Sequence, residues 1–216
     1  MAKYLRWMAG LLALVSVAGF AQEKYVLGQQ YEEVTPAQST STGDKIEVVE
    51  MFWYGCPHCY SFEPLLSQWD AKKADDVELV RIPAVFSANW EIHARAYYAL
   101  ETMGRLEALH KPLFDAIHRD RKPLVNENAI AQFVASQGAS ADAFRQAYNS
   151  PAVDSKVERA KKLSRAYGIS GVPSVIIAGK YRSSGSAAGS YGELLKVIDF
   201  LVDKERAGNR HVTAAP

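Results

Sequence analysis

The stretch Ile46-Glu-Val-Val-Glu-Met-Phe-Trp-Tyr-Gly-Cys-Pro-His-Cys59 decides the fold, because an apolar run leads directly into the only two cysteines of the chain. The run is rich in valine and aromatic residues, which is typical of a strand buried on both faces. The Cys-x-x-Cys spacing lets two sulfurs close a small ring across the first turn of a helix. Pro57 is acceptable in that turn. The stretch therefore predicts a strand followed by a helix.

The position of Cys56 predicts a reactive thiol. A strand that runs into a helix leaves the first sulfur beside the unpaired N–H groups of the helix N-terminus, and the helix dipole there favours a thiolate. The pair Cys56 and Cys59 therefore reads as a redox-active dithiol. An inert structural disulfide is the main alternative, although so short a loop would constrain the unfolded chain little.

A structural zinc site is a further alternative for the cysteine pair. Such a site needs four ligands, usually including a second Cys or Cys/His pair at short spacing. The histidines outside the motif stand singly and match no ligand spacing; they are His93, His110, His118 and His211. The sequence therefore favours redox chemistry over metal binding.

The N-terminus has the organisation of a secretory signal. Lys3 and Arg6 supply positive charge, residues 7–20 are apolar and uncharged, and small residues stand near the expected cleavage point before Gln22. We expect a signal peptide at residues 1–21 and export to a compartment where disulfides persist. An uncleaved membrane anchor is the alternative, but the apolar stretch is shorter than the roughly 20 residues that a spanning helix needs.

The nearly neutral net charge argues against partners that are strongly anionic. Lys and Arg number 25 against 24 Asp and Glu. A chain so close to neutrality carries no signal for binding nucleic acid or an anionic membrane surface.

The hydrophobic pattern predicts a β-α-β unit, a helical block and then a β-β-α unit. The predicted elements are a strand at 45–54, a helix to about 73, a strand at 77–85, helices between 89 and 168, strands at 174–178 and 181–182 around a turn at 179–180, and a helix at 191–206. Asn126 and Ser140 are candidate helix N-caps and Gly168 a helix stop. This order predicts an α/β fold in which one sheet is interrupted by an inserted helical domain.

Two motifs, Cys56-Pro-His-Cys59 and Gly171-Val-Pro-Ser174, together resemble those of the DsbA family of periplasmic disulfide oxidases. The first motif follows an aromatic-rich strand, as in that family's active site, and the second precedes the returning strand, as in its cis-proline loop. The resemblance covers nearly the whole mature chain. It implies a thioredoxin fold with an inserted all-helical domain.

The resemblance also implies where the domains begin and end. A thioredoxin-like domain would comprise residues 22–87 and 169–206, and the helical insertion domain residues 88–168. Residues 207–216 are expected to form a flexible tail.

Site roles follow from the same resemblance. Cys56 would be the nucleophile that forms mixed disulfides, and Cys59 the buried resolving thiol. Pro57 and His58 would tune the redox potential, His58 by supporting a thiolate, although an exposed turn residue is the alternative for His58. The Val172–Pro173 bond is expected to be cis and to lie against the cysteines.

A buried charge pair is expected beneath the dithiol. Glu50 interrupts the apolar strand, where an unpaired charge is costly. In the family a buried acid at this place pairs with a lysine on the neighbouring strand, whereas here Arg81 stands there, a cation that does not release its proton. The pair would be either a proton shuttle or a satisfied ion pair. Glu63 is expected on a solvated helix face.

The resemblance implies an exported thiol:disulfide oxidoreductase that donates the Cys56–Cys59 disulfide to folding proteins and needs no metal or organic cofactor. Its implied partners are reduced, unfolded polypeptides and a DsbB-type, quinone-linked membrane oxidase that restores the disulfide. Nucleic acid is not among them.

Three alternatives remain. The first is a reductase or isomerase that keeps the motif reduced. Isomerases of this group usually carry a separate N-terminal dimerisation domain, whereas only about twenty residues stand between the expected cleavage site and the first strand. A redox-inert chaperone would function without Cys56. A glutathione-dependent isomerase of this shape would be cytosolic, which conflicts with the export signal.

Overall fold

The computed structural model describes residues 23–213, with side chains as far as residue 208. The predicted signal peptide, residues 1–21, lies outside that range. In chain order the elements are β1 (Glu32–Glu33), β2 (Ile46–Phe52), α1 (Pro57–Asp70), β3 (Val77–Pro83), α2 (Ala88–Thr102), α3 (Leu106–His118), α4 (Glu127–Ser136), α5 (Ala141–Tyr148), α6 (Pro151–Ala166), β4 (Ser174–Ile177), β5 (Tyr181–Ser184), α7 (Gly185–Ala188) and α8 (Tyr191–Thr213). Between residues 23 and 213, none of these helices has both the length and the apolar character of a membrane span.

A single mixed sheet of five strands holds the two predicted units together. Its strand order is β1-β5-β4-β2-β3. The strands β2 and β3 run parallel and are joined by α1, whereas β4 runs antiparallel to both β2 and β5. Pro83, which lacks an N–H, ends β3 at the sheet edge, as its position in the sequence predicts. The helices α2 to α6 all lie between β3 and β4 in the sequence.

The strand β2 is the most enclosed element of the sheet, because all seven of its residues are buried. Its side chains alternate between two cores. Val49 and Met51 pack with the inserted helices, whereas Ile46 and Val48 pack with α1 and α8. The inserted helices therefore share a core with the sheet. Burying each such side chain stabilises the fold by roughly 1.5–3 kcal/mol relative to leaving it exposed.

The helix starts in the insertion follow the capping residues. Asn126 accepts a hydrogen bond from the N–H of Ala129 at 2.9 Å, and Ser140 accepts one from Ala143 at 3.1 Å. Both are the caps that the sequence predicts. The last inserted helix begins at Pro151 and is capped by Ser150, whose hydroxyl accepts the N–H of Val153.

Helix α8 extends beyond the predicted helix end at residue 206 and continues as far as Thr213, so the segment predicted as a tail is helical up to that residue. No proline interrupts this helix. Its later turns are also attached to the body of the protein, since Arg206 pairs with Asp76 at 2.7 Å and the buried Glu205 pairs with Lys180. The elements β1 and α7, with two and four residues, were not predicted because they are too short to show a hydrophobic period.

The hairpin between β4 and β5 turns one residue earlier than predicted, at Ala178 and Gly179. Both residues have positive φ, 51° and 66°, as a type I′ hairpin turn requires. The N–H of Lys180 donates to the carbonyl of Ile177 at 2.9 Å and closes the turn. A Cβ on Gly179 would lie 2.0 Å from the backbone oxygen of Gln38. Gly179 is therefore required both by its conformation and by the close approach of a second chain segment.

We expect Gly179→Ala to lower the free energy of unfolding by about 2–4 kcal/mol, because the left-handed conformation and the backbone clash both disfavour a side chain. Gly138→Ala is the matched control, since Gly138 has φ 77° but no atom within 4 Å of its would-be Cβ. The control is expected to lose only about 1–2 kcal/mol. Urea unfolding of both variants measures the difference, and equal losses would contradict the role of the Gln38 contact.

Candidate active site

The two cysteines lie where β2 passes into α1. Cys56 is the N-cap of the helix, Pro57 is its first residue, and the N–H of Cys59 donates to Sγ of Cys56 at 3.4 Å. Proline fits this position because the first N–H groups of a helix have no partner within it. Both cysteines are free thiols in this structure; Cys59 is fully buried and Cys56 is 7% exposed.

The two thiols differ strongly in acidity. A hydrogen bond from the Cys59 side chain, together with the backbone N–H groups of Cys59 and His58 and the charge of His58, lowers the pKa of Cys56 to about 6 despite partial burial. Burial, and then the hydrogen bond to Cys56, raise the pKa of Cys59 far above its usual range. At neutral pH the pair therefore carries one thiolate, on Cys56, and one thiol, on Cys59.

The loop before β4 lies against Cys56. The Val172–Pro173 bond is cis, as the sequence predicts, and the Val172 carbonyl oxygen is 3.5 Å from Sγ of Cys56. Ser174 Oγ donates to the carbonyl of Gly171 at 2.8 Å, which fixes the loop internally. A second cis bond, Thr35–Pro36, was not predicted.

An open groove of about 540 Å³ runs beside this loop. His58, Val172, Pro173 and Tyr191 line it, together with serines of the proline loop, of β4 and β5, and of the segment around α7. His58 is exposed there. It is thus an exposed residue in the first turn of helix α1 that also contributes its backbone N–H and its charge to the Cys56 thiolate.

Glu50 and Arg81 lie beneath the dithiol on adjacent strands, as expected. They are opposite each other in the β2–β3 register, with Arg81 Nε 3.4 Å from Glu50 Oε2. Arg81 nevertheless directs its hydrogen bonds to Glu63 and Ser67, at 3.0 and 3.2 Å from Nη2. Both carboxyl oxygens of Glu50 are buried without a hydrogen-bond donor among the described residues. Burial, followed by the charge of Glu63, raises the pKa of Glu50 to about 8 despite the opposing charge of Arg81.

The prediction that Glu63 lies on a solvated helix face was wrong, because Glu63 is only 6% exposed and faces the sheet. The buried positions of α1 are Cys59, Phe62, Glu63 and Leu66, the i, i+3, i+4, i+7 stripe of an amphipathic helix. That period was visible in the sequence. Although burial favours the neutral form, the nearby His110, with Arg81 and Ser67, holds the pKa of Glu63 below its usual range.

His110 joins this group from α3 and was not predicted as a site residue. Its Nε2 lies 3.5 Å from Glu63 Oε2, and its Nδ1 lies 2.7 Å from the Tyr54 hydroxyl. We call Glu50, Glu63, Arg81 and His110 the buried charge cluster. Nothing in the sequence identifies His110, because its partners are 47 or more positions away along the chain.

A second histidine of α3 supports the backbone just before the dithiol. His118 Nε2 lies 2.7 Å from the carbonyl oxygen of Tyr54, and its ring stacks on Tyr60 with centroids 5.0 Å apart. Sequence reasoning considered His118 only as a lone histidine. In the part of the chain from residue 23 to 213, no three His, Cys, Asp or Glu side chains are arranged to hold a metal ion.

Known proteins share this architecture along nearly the whole chain. The family profile described as "DSBA-like thioredoxin domain" matches residues 79–190, a range that begins after the two cysteines. The thiol:disulfide interchange protein DsbA of Pseudomonas aeruginosa is 42% identical over 202 residues, which cover 93% of this chain and 96% of that protein. The DsbA of Azotobacter vinelandii is 45% identical over 181 residues, 84% and 85% of the two chains.

Solved structures agree with the sequence relatives. The crystal structure of Pseudomonas aeruginosa DsbA superimposes with a TM-score of 0.84 at 42% identity, covering 88% of this chain and 98% of that one. The oxidoreductase DsbA from Xylella fastidiosa gives a TM-score of 0.80 at 34% identity, with 85% and 98% covered. The predicted thioredoxin fold with a helical insertion is thereby confirmed.

The buried charge cluster makes Arg81 structurally critical. We expect Arg81→Met to lower the free energy of unfolding by about 3–5 kcal/mol at neutral pH, because two carboxyls remain buried without their cation. Lys45→Met is the control, since it removes an exposed cation paired with Glu78 and is expected to cost less than about 1 kcal/mol.

The pH dependence of this loss identifies its cause. Without Arg81 the folded carboxyls of Glu50 and Glu63 hold their protons more tightly than in the unfolded chain, where their pKa is about 4.3. The loss should therefore shrink as the pH falls towards that value. Urea unfolding between pH 4.5 and 8 measures it, and a loss that does not depend on pH would contradict the assignment.

Proposed function

This chain belongs to the DsbA family of thiol:disulfide interchange proteins, and from that premise we propose that it oxidises exported proteins as they fold by donating its Cys56–Cys59 disulfide. It is a thiol:disulfide oxidoreductase. The observation that carries the direction of electron flow is the position of Cys56 Sγ at the N-terminus of α1, where it accepts the N–H of Cys59 at 3.4 Å and where the pKa of the thiol is lowered.

The groups that stabilise the Cys56 thiolate act only in the reduced protein. Closing the disulfide removes the negative charge and with it the benefit of the Cys59 hydrogen bond, the N–H groups and His58. Each unit by which the pKa of Cys56 falls below its unfolded value stabilises the reduced fold by about 1.4 kcal/mol. A dithiol whose reduced form is favoured in this way oxidises its partners strongly.

The exchange proceeds in two steps. A substrate thiolate attacks Sγ of Cys56, a sulfur–sulfur bond forms, and Cys59 leaves and takes up a proton, as its raised pKa requires. A second substrate thiolate then attacks the substrate sulfur of the mixed disulfide and releases Cys56 as a stable thiolate. Two electrons pass from the substrate to the enzyme, and the substrate gains one disulfide.

The loop of Val172 and Pro173 is the proposed substrate platform. The Val172 carbonyl lies beside Cys56, so an extended substrate chain that reaches Sγ can hydrogen-bond to this loop. Pro57 leaves the helix N-terminus open towards the sulfur, and His58 borders the adjoining groove. These roles extend to this chain what the family resemblance implies for the matching positions.

The proposed location is the periplasm. The relatives' family and the predicted signal at residues 1–21 support this. The proposed substrates are reduced, unfolded polypeptides. A DsbB-type, quinone-linked membrane oxidase would accept the two electrons from the dithiol and restore the Cys56–Cys59 disulfide.

A structural disulfide makes the oxidised protein more stable than the reduced one, and here we expect the reverse. We expect the oxidised protein to unfold at lower urea concentration than the reduced protein, because only the reduced form has the stabilised thiolate. The folded pKa of Cys56, about 6, lies below its unfolded value near 8.5, so the difference should be full above that value and should vanish as the pH falls through 6.

Urea melts with and without reductant at several pH values measure this difference. The control is the double variant Cys56→Ser, Cys59→Ser, which can form neither thiolate nor disulfide and should not respond to reductant. An oxidised form that is clearly the more stable one would overturn the oxidase assignment and would favour an inert disulfide or a reductase.

The variant Cys56→Ser tests whether the function depends on thiol chemistry. We expect Cys56→Ser to abolish oxidation of a reduced, unfolded protein substrate, because no mixed disulfide can form. The control is Ser61→Ala, which changes an exposed residue further along α1. Because a surface substitution of this kind barely changes stability, the rate of substrate oxidation should stay within about twofold of wild type. Oxidation that persists in Cys56→Ser would contradict the role of Cys56. A wild-type protein and a Cys56→Ser variant that both keep the substrate from aggregating without oxidising it would support the redox-inert chaperone instead.

A further inference from the structure

His110 is a buried histidine to which the disulfide exchange assigns no task. It is 8% exposed and reaches the sheet from α3, with Nδ1 at 2.7 Å from the Tyr54 hydroxyl and Nε2 at 3.5 Å from Glu63. Four elements bring ionisable groups to its ring: Glu63 on α1, Tyr54 in the turn after β2, Arg81 on β3 and Tyr97 on α2, the last with ring centroids 6.0 Å apart.

The charge balance of the buried charge cluster requires one additional proton. Glu50 and Glu63 supply two carboxyls, whereas Arg81 is the single fixed cation that faces both. A net charge sealed in a buried site is costly. The cluster is neutral when one proton is bound to Glu50, Glu63 or His110.

The hydrogen bonds favour Glu50 as the site of that proton. Glu63 accepts from Arg81 at 3.0 Å and from Ser67 at 2.6 Å, so its charged form is well satisfied. Glu50 has no hydrogen-bond donor among the described residues, and its charged form is satisfied only by the contact with Arg81 at 3.4 Å. An ionised carboxylate without donors in a buried site takes up a proton.

We propose that His110 is a positioning residue that keeps this proton on Glu50. Because Nδ1 accepts the Tyr54 hydroxyl proton at 2.7 Å, the neutral ring carries its own proton on Nε2. Nε2 lies 3.5 Å from Glu63 without a hydrogen-bond partner among the described residues, so its N–H dipole favours a carboxylate there without a hydrogen bond. His110 thereby holds Glu63 in the ionised form. Arg81 is then committed to Glu63 and leaves Glu50 protonated.

His110 acts in its neutral form. Burial holds the pKa of His110 below its usual range, although the neighbouring Glu63 opposes this. The ring therefore acts on its neighbours through its dipole and its hydrogen bond to Tyr54, and not through a charge. A change in the titration of Glu50 caused by a substitution at His110 then reports on the hydrogen-bond arrangement.

The consequence for catalysis rests on the proposed exchange. When substrate attacks Cys56, the Cys59 thiolate leaves into a buried site, and burial above all raises its pKa. An ionised Glu50 would add a negative charge near that sulfur, whereas a protonated Glu50 adds none, so the Cys59 thiolate leaves more easily. His110 sets how much of the protein is ready for this step.

The test is the carboxyl titration of Glu50, followed by NMR in protein labelled with ¹³C at glutamate. We expect His110→Leu to lower the titration midpoint of Glu50 from about 8 by about one unit, which is tenfold in proton affinity, and to raise that of Glu63. His110→Gln should restore most of the shift, because an amide can donate to Glu63 and accept from Tyr54.

Two further variants control for structural effects. His93→Leu removes another buried histidine of the insertion, one that contacts the Leu124 carbonyl at 2.8 Å, and should leave the Glu50 midpoint unchanged. Tyr54→Phe removes only the hydroxyl that fixes the ring orientation and should lower the midpoint in the same direction. It carries the test if His110→Leu does not fold.

A Glu50 midpoint that is unchanged in folded His110→Leu, or in Tyr54→Phe when the first does not fold, overturns the inference. A midpoint that falls equally in His93→Leu also overturns it. The proposed function fails separately, through a wild-type protein that does not oxidise substrate, because the titration needs no substrate.

Discussion

The complete burial of β2 is the constraint on which the rest of the site depends. A strand covered on both faces leaves no water to solvate its polar groups, so a charge on it must be paired within the protein or neutralised by a proton. Glu50 lies on this strand and contacts Arg81 of β3, which in turn pairs with Glu63 of α1, and His110 of α3 lies beside Glu63. The same strand ends at the dithiol, which places the sulfurs directly above this group.

The two cysteines differ in acidity although they stand only one helical turn apart. Sγ of Cys56 lies outside the helix, where N–H groups point at it, whereas Cys59 lies within the first turn against the sheet and has no contact with water. One sulfur is therefore stable as an anion and the other as a thiol. This asymmetry decides which sulfur a substrate meets and which sulfur leaves.

Much of this arrangement could be predicted from local sequence, because it depends on residues close together along the chain. The motif at Cys56, the cap at Asn126 and the proline at 173 each indicate their own structure. The spacing of the apolar residues in α1 indicates that position 63 is buried. The charge of Glu63 nevertheless led to the prediction that it lies on the solvated face. His110 could not be found, since its partners come from other elements and meet it only after folding. The division into the two domains stays a prediction.

The histidines of α3 link the inserted helices to the active site. Through His110 and His118 the insertion supplies side chains to the layer under the dithiol, and its apolar residues share a core with Phe52 and Tyr54. The inserted helices are thus part of the catalytic scaffold. A designer who grafts this Cys-x-x-Cys turn onto a smaller sheet without the insertion would transfer the sulfurs but lose the groups that support the residues beneath them.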